Sequence, residues 1–415
     1  MIKKIKKNIN ENPFIKNTLT LVSSSVIAQI FTVLSAPILY RLYTKENYGI
    51  LGSFIAISTI TNLFSSFQYL QPIILEKDDN ESIKLVHLNI FLNLIGTVTY
   101  FVIIIILLYK SIAIKYYFLL PLTYFLNGQS EIISTWLNRN RQFNVISKAT
   151  IIQSISTPII SFISYYIYKN ERGLFTALIL SQFIQFIFFV LNSNIIKKLD
   201  IKNFNPKTII LKIKQYKSFP LMRVPSELMN RLTSQSPILM FSIYSTPEFI
   251  GVYNLCTRML GIPIQLIGNN IAKVFKEKAI SDYNNLGNFN LIFLKTFKSL
   301  FLISVLPLII VMFKGPIIFS FFFGETWKDA GNLAQILIPL YLLKLIVSPL
   351  SYSYFIKNKL KEDLVLHVYL MISNIIILHQ GFELGFDNFT IISIYSINFS
   401  FIYIIYILRS YTFSK

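Results

Sequence analysis

The chemistry available to this chain is concentrated in a few charged residues set inside long apolar runs: Glu131, Arg223, Glu227, Arg231, Arg258 and Lys344. A charge in hydrocarbon is costly, so each of these should face the protein interior or a wet cavity. Arg223, Glu227 and Arg231 are spaced i, i+4, i+8 and form one stripe on a helix. An arginine fork grips phosphate oxygens two at a time and stays charged. Arg231, Arg258 and Arg223, with Glu227 as their charge partner, therefore suit binding of a diphosphate. The plainer reading is that the arginines neutralise Glu227 and tie helices together, with Arg223 snorkelling to the interface. Glu131 and Lys344 are read either as a pair joining two halves of the molecule or, for Glu131, as the carrier of a coupling proton or cation.

The rest of the sequence argues against catalysis. His87, His367 and His379 are scattered and have no metal-ligand spacing. Cys256 is the single cysteine, which excludes an intrachain disulfide. No Ser-His-Asp set, phosphate-binding loop or dinucleotide fingerprint is present. No catalytic residue, no metal and no cofactor is expected, and the chain is not read as an enzyme.

The elements that must hold these charges are membrane spans. Of 415 residues 53% are hydrophobic and only 14% charged, against about 25% charged in soluble domains. Runs near the roughly 20 residues needed to cross hydrocarbon recur along the chain. They place spans near 18–39, 48–70, 85–108, 116–136, 144–166, 174–193, 218–243, 247–270, 291–313, 329–352, 363–380 and 389–408. The expected fold is all-α and polytopic, with about 12 transmembrane helices. The N-terminal MIKKIKKNINENPFIKN resembles a basic leader, but a full-length apolar run follows it, so an uncleaved first helix is expected. Lys and Arg in the alternate loops outnumber those in the opposite turns by about three to one, which puts both termini in the cytoplasm. The net charge of +20 thus reflects membrane orientation, and nucleic acid is not an expected partner.

The span pattern contains echoes. YTKENYGIL (43–51) and STPEFIGVY (245–253) each start a helix from an outer turn. Thr44 and Thr246 fall at the N-cap, Glu46 and Glu248 in the first turn, and Pro247 at N1. Gly49 and Gly251 follow five residues after each cap and permit close helix approach. Arg139-Asn140-Arg141 after span four is echoed by Lys357-Asn358-Lys359 after span ten. Six spans separate the members of each pair, so the halves are parallel repeats related by an axis along the membrane normal. The division is 1–193, a basic cytoplasmic linker 194–217, and 218–415. By helical rise, Arg231 lies roughly 20 Å and Arg258 roughly 16 Å into their spans, near the midplane. The in-span amides Asn62, Gln68, Asn93, Asn127, Gln129, Gln153, Gln182, Gln185, Gln265, Asn269 and Asn270 could face sugar hydroxyls. For any one of them a hydrogen bond between helices is the commoner use.

RLYTKENYGILGSF, WLNRNRQF and the segment SPILMFSIYSTPEFIGVYNLCTRMLGIPIQLIGNNIAKVF resemble polysaccharide flippases, O-antigen type, of the multidrug/oligosaccharidyl-lipid/polysaccharide exporter superfamily. The resemblance covers spans one to eight and fades after about residue 290. It implies two six-helix lobes around a central cavity. It also implies transport of an undecaprenyl-diphosphate-linked oligosaccharide to the outer leaflet of the bacterial plasma (inner) membrane by alternating access. The implied partners are lipid-linked oligosaccharide, membrane lipids and a coupling ion, proton or sodium. Drug-exporting relatives couple through acids in the first lobe; this chain has none in span one. The competing readings are a small-molecule exporter of the same superfamily and a polysaccharide polymerase. The latter usually needs a sizeable outer loop, and here the longest outer turn, 314–328, offers only Glu325. Which glycan repeat is carried, for which surface polysaccharide, is not written in the residues.

Overall fold

A computed structural model of the protein describes residues 13–109, 116–195 and 206–415, with side chains from residue 23 onward. The N-terminal lysines, the outer turn 110–115 and residues 196–205 of the expected linker lie outside the described residues. Every regular element described is helical. In chain order these are α1 (Pro13–Leu42), α2 (Lys45–Thr61), α3 (Leu70–Leu75), α4 (Asp79–Tyr109), α5 (Leu120–Arg139), α6 (Phe143–Tyr168), α7 (Arg172–Asn192) and α8 (Pro206–Gln215). Then come α9 (Ser218–Tyr244), α10 (Pro247–Pro263), α11 (Asn269–Leu286), α12 (Asn290–Phe323), α13 (Lys328–Leu350), α14 (Tyr352–Ile356), α15 (Leu360–Glu383) and α16 (Asn388–Ser414).

Each of the twelve expected spans is a long helix. Ten are long and apolar enough to cross a membrane. The other two, α5 and α9, have 20 and 27 residues. They have the length but are diluted by polar residues, among them Glu131 in α5 and the Arg223–Glu227–Arg231 stripe in α9. Their polarity is thus the mark of the helices that carry the charged groups. The outward faces are apolar: Val98, Phe101 and Val102 on α4, and Leu302, Leu306, Phe313 and Ile317 on α12, are all exposed. In water such faces would be a liability; in hydrocarbon they are the solvent-matched surface. This is a multi-pass membrane protein.

The chain folds as two compact units. One gathers the described residues up to Tyr43 with Phe54–Arg231. In it α6 packs on α7 and α1, and α4 on α5. Its core is Ile73, Leu85, Leu88, Ile132, Trp136 and neighbours. The short amphipathic α8 docks here through Ile209. Lys212 is only 5% exposed and lies between Glu81 (2.8 Å) and Glu76 (3.6 Å), while Tyr216 donates to the Glu76 carboxylate. The Tyr216 hydrogen bond, then the Lys212 charge, hold the Glu76 carboxyl below its ordinary range. Burial, then Glu76, push the Tyr216 phenol up to about 12.

The other unit is Thr44–Ser53 with Leu232–Lys415. Here α13 is central, packed by α12, α16 and α10. The two echoed helix starts meet in this unit. A side chain at Gly49 would strike the Pro247 carbonyl, and one at Gly251 would strike the Lys45 carbonyl. The contact is reciprocal: each glycine receives the first turn of the other helix, as at an interface with two-fold character. Thr44 caps as expected, accepting from Asn47 N–H (3.2 Å) while its own N–H bonds the Asn47 side chain (3.3 Å). Thr246 stands at the N-cap of α10 but makes no side-chain capping bond. Pro247 at N1 brings no N–H, so this turn has one fewer donor to satisfy.

The second echo is also real, though one residue out of register. Arg141 and Asn358 both take positive φ, 56° and 54°. Gln142 N–H bonds Leu137 O and Lys359 N–H bonds Tyr354 O, the long closing bond of a Schellman turn in each case. Arg141 therefore corresponds to Asn358, not to Lys359. A third correspondence escapes the letters altogether. Past Thr61 the helix tightens into a 3₁₀ turn at Asn62–Ser65, and past Pro263 it loosens into a π turn at Ile264–Gly268. On the 202-residue spacing of the glycine pair, these irregular turns coincide. The first leads to a break with Phe67 and Gln68 at positive φ; the second continues into α11, giving one rod from Pro247 to Leu286.

Candidate functional site

The stripe on α9 does not behave as an internal ion-pair ladder. Among the described residues no salt bridge joins Glu227 to Arg223 or Arg231. Arg223 is exposed and Glu227 half-buried. The reading in which the arginines merely neutralise Glu227 thus has no contact behind it. Arg231 turns the other way, donating from Nη1 to the Thr59 carbonyl near the end of α2. It also lies near enough to Glu131 on α5 for the two charges to interact. Sequence reasoning offered Lys344 as the partner of Glu131; within the first unit, the basic group beside it is Arg231.

Glu131 is flanked on α5 by buried Gln129, Ser130, Ile132 and Ile133. Its own side chain lies deep in the protein mass yet keeps accessible surface. Two of the sequence-flagged amides serve architecture beside it: Gln129 donates to Asn93 Oδ1 at 2.8 Å, and Asn93 donates to the Tyr124 carbonyl at 3.4 Å. Such bonds join α4 to α5 and use up polar capacity that would otherwise be free for a ligand. Asn270 bonds its own helix at Leu266 O. Gln265 and Asn269, at the π turn, are exposed.

In the second unit, Arg258 extends from α10 with an exposed side chain, and Lys344 from α13. Neither forms a salt bridge among the described residues. The ammonium of Lys344 lies 5.6 Å from the centroid of the Tyr341 ring, and like Glu131 it is deep but accessible. The Tyr341 hydroxyl is within hydrogen-bonding reach of Thr257, the residue before Arg258. Tyr253, Tyr395 and Tyr403 complete an aromatic, hydroxyl-bearing cluster around Tyr341. Sequence reasoning missed this cluster. Its signal was present: Tyr395, Phe399 and Tyr403 recur every fourth residue on α16, with ring centroids 4.5 and 6.0 Å apart in tilted and edge-to-face contacts.

Chemically, then, the described residues offer in-span cations, Arg231 near an acid and Arg258 and Lys344 without a salt bridge among the described residues, beside amides and tyrosines. That is equipment for holding a polar, anionic molecule, and among the described residues no group of His, Cys, Asp and Glu is placed to hold a metal ion. The sequence pattern of the family described as "Polysaccharide biosynthesis protein" matches residues 38–332, and the chain belongs to that family.

Relatives agree at two levels. Over 141 residues the chain is 27% identical to "Teichuronic acid biosynthesis protein TuaB" of Bacillus subtilis (strain 168). That match spans 33% of this chain and 28% of the relative's length. Two solved structures share the fold. The lipid II flippase MurJ in an inward closed conformation aligns with TM-score 0.69 and 19% identity, covering 93% of this chain and 86% of MurJ. A multidrug resistance MATE family transporter of the MOP superfamily, inward-facing, aligns with TM-score 0.67 and 14% identity, covering 92% and 93%. The resemblance drawn from the spans-one-to-eight motifs therefore holds at the level of family and fold: the chain is a polysaccharide biosynthesis protein with the fold of the MATE and MurJ transporters.

Proposed function

We propose that this protein is a flippase. It carries undecaprenyl-diphosphate-linked oligosaccharide repeat units from the cytoplasmic to the outer leaflet of the bacterial plasma membrane, by alternating access. The observation that carries the reading is the presence of Arg258 and Lys344 inside the spans with no salt bridge to either among the described residues. An unpaired cation in hydrocarbon has a standing cost, and an anionic passenger offsets it. In this reading the lobes are 1–193 and 218–415, joined by the basic segment 194–217, with both termini cytoplasmic. Arg231 and Arg258 hold the diphosphate, with Arg223 receiving it at the cytoplasmic side and Glu227 limiting the net charge. The half-exposed polar groups receive the glycan while the prenyl tail stays in lipid. The TuaB likeness supports a cell-surface polysaccharide as the end product; O-antigen is one member of that class.

Leaflet-resolved labelling of lipid-linked oligosaccharide tests this, in a deletion strain complemented with wild type or Arg258→Ala at matched membrane levels. Wild type is expected to move label outward, and Arg258→Ala to leave most of it inside. Equal movement by both removes Arg258 from the site. If neither moves label, the passenger is another molecule, and the exporter reading, which the likeness to a multidrug transporter favours, takes its place.

Glu131 is assigned the coupling role, exchanging its proton or a cation against Arg231 as the cycle turns. Transport by Glu131→Gln is expected to be slow and indifferent to collapse of the ion gradients. A variant that responds to the gradients as wild type does would end this assignment.

A further inference from the structure

The second unit gathers lysines at one corner. Lys273, Lys276 and Lys278 stand on α11, and Lys357 and Lys359 in the turn after α14. Of these, only Lys278 has a carboxylate partner among the described residues, Asp282 at 2.6 Å. Glu277, the other acid of α11, is exposed and makes no salt bridge among the described residues. Two of the remaining lysines are held by rings across the junction. The Lys276 ammonium lies 5.1 Å from the Tyr352 ring centroid and 5.4 Å from that of Phe355. In return, Lys357 lies 4.6 Å from the ring centroid of Tyr283 on α11. A ring face attracts an ammonium from within about 6 Å, but takes up none of its N–H donors. Among the described residues neither ammonium makes a hydrogen bond or a salt bridge. The corner is also firmly seated. Tyr283 and Ile356 pack on a core of Phe275, Ala279, Phe289, Leu345 and Leu350.

Depth follows from α13. Its 23 residues make about 35 Å of helix, little more than a hydrocarbon core of about 30 Å. Charges bracket it, Lys328 and Asp329 at one end and Lys357 and Lys359 past the other. Tyr352 and Phe355, just past its end, therefore stand at the level of the lipid headgroups, where tyrosine collects in membrane proteins. Phe355 is 55% exposed, and the first turns of α15 expose Leu360, Leu364 and Val365. A phospholipid has the matching parts: phosphate oxygens that accept from ammoniums, and a chain that meets apolar side chains. A zwitterionic headgroup brings a cation of its own beside the phosphate, which a cluster of lysines repels. We propose that the corner between α11 and α14 binds an anionic phospholipid, with Lys276 and Lys357 on its phosphate, Lys273 and Lys359 adding to the field, and Phe355 against its chain. This site is separate from the in-span charges assigned to the passenger, and it stands whatever the passenger is.

The test puts a tryptophan reporter at the corner, in the full chain. Phe355→Trp keeps a ring for Lys276, and the native Trp136 and Trp327 are buried. The protein is reconstituted in phosphatidylcholine nanodiscs in which a minority of the lipid is brominated on its chains, either as phosphatidylglycerol or as phosphatidylcholine. Random contact gives equal quenching by the two. The site requires quenching by brominated phosphatidylglycerol to be greater by at least about twofold. Adding Lys276→Gln and Lys357→Gln should bring it down to the phosphatidylcholine level. Lys276→Arg with Lys357→Arg should keep the excess, which separates loss of charge from loss of fold. Equal quenching by the two lipids in the parent overturns the proposal. So does an excess that survives the glutamine pair, since the lipid would then gather elsewhere. Absence of quenching by either lipid overturns it too, and makes a soluble acidic partner the occupant of the corner.

Discussion

Among individual residues, those that face water and those that face the bilayer interior follow different rules. Lys212 was legible only as one more basic residue of a linker. Its role depends on Glu76 and Glu81, more than 130 positions earlier, and no local pattern announces such a meeting. The sign of the Glu76 contribution can be worked out. Its carboxyl is held below the ordinary range by Tyr216 and Lys212, so the charged form is favoured in the folded state. The stabilisation is fully present above the ordinary carboxylate value of about 4.3 and is lost as pH falls through the lowered value. Glu76→Gln is expected to lower the unfolding midpoint in detergent at pH 7, and to lose that deficit progressively in acid below about pH 4. A deficit that persists unchanged into acid would mean the carboxylate charge is irrelevant there. Arg139 shows the same limit on what sequence reveals. It reads as a free cytoplasmic cation, but its guanidinium bonds Asp79 at 2.9 Å and the Ile73 carbonyl at 3.0 Å, stapling the turn before α4.

At the scale of elements, the sequence was most informative where a repeat forced it to be. Twelve spans were readable because hydrocarbon thickness sets their length, and even the polar α5 and α9 were recoverable from their place between apolar neighbours. The Schellman turns at Arg141 and Asn358 were found by their letters but aligned one residue out, because the backbone repeats its hydrogen bonds while the basic residues only repeat their chemistry. The tyrosine cluster of α13 and α16 stayed hidden, since aromatic residues at helical spacing are ordinary core. The reciprocal glycines were legible by type and spacing, but not their contact with one another. That contact makes a prediction for the pair of helices. Gly49→Ala and Gly251→Ala should each destabilise the protein by about 1–3 kcal/mol through overpacking. Because either change already forces α2 and α10 apart, the double variant should cost clearly less than the sum. Additive losses in thermal unfolding would show that the two close approaches are independent.

For the molecule as a whole, the asymmetry between the halves matters more than their kinship. The first unit sets Arg231 near its deep acid Glu131; in the second, Arg258 and Lys344 make no salt bridge among the described residues. The echoed turns repeat between the two units, while the in-span charges do not. The fold followed from length, hydropathy and charge, which act along the chain. The site depended on which side chains converge from separate helices, and only the rarest letters, the in-span charges, pointed to it.

The irregular turns at matching positions of α2 and α10 diverge in one respect with a mechanical result. In the second half the helix carries on for 40 residues from Pro247 to Leu286, a length of about 60 Å against a hydrocarbon core of about 30 Å. Its first turn is fixed by the glycine crossing, and its length exceeds that of one span. Phe275 and Ala279 of its far half are buried with Leu345 and Leu350 of α13, so the rod is tied to the second unit along its length. A tilt of about 10° about the crossing would carry Leu286, with the helices packed on it, through roughly 10 Å, so a small change at the glycines becomes a large one at the other end.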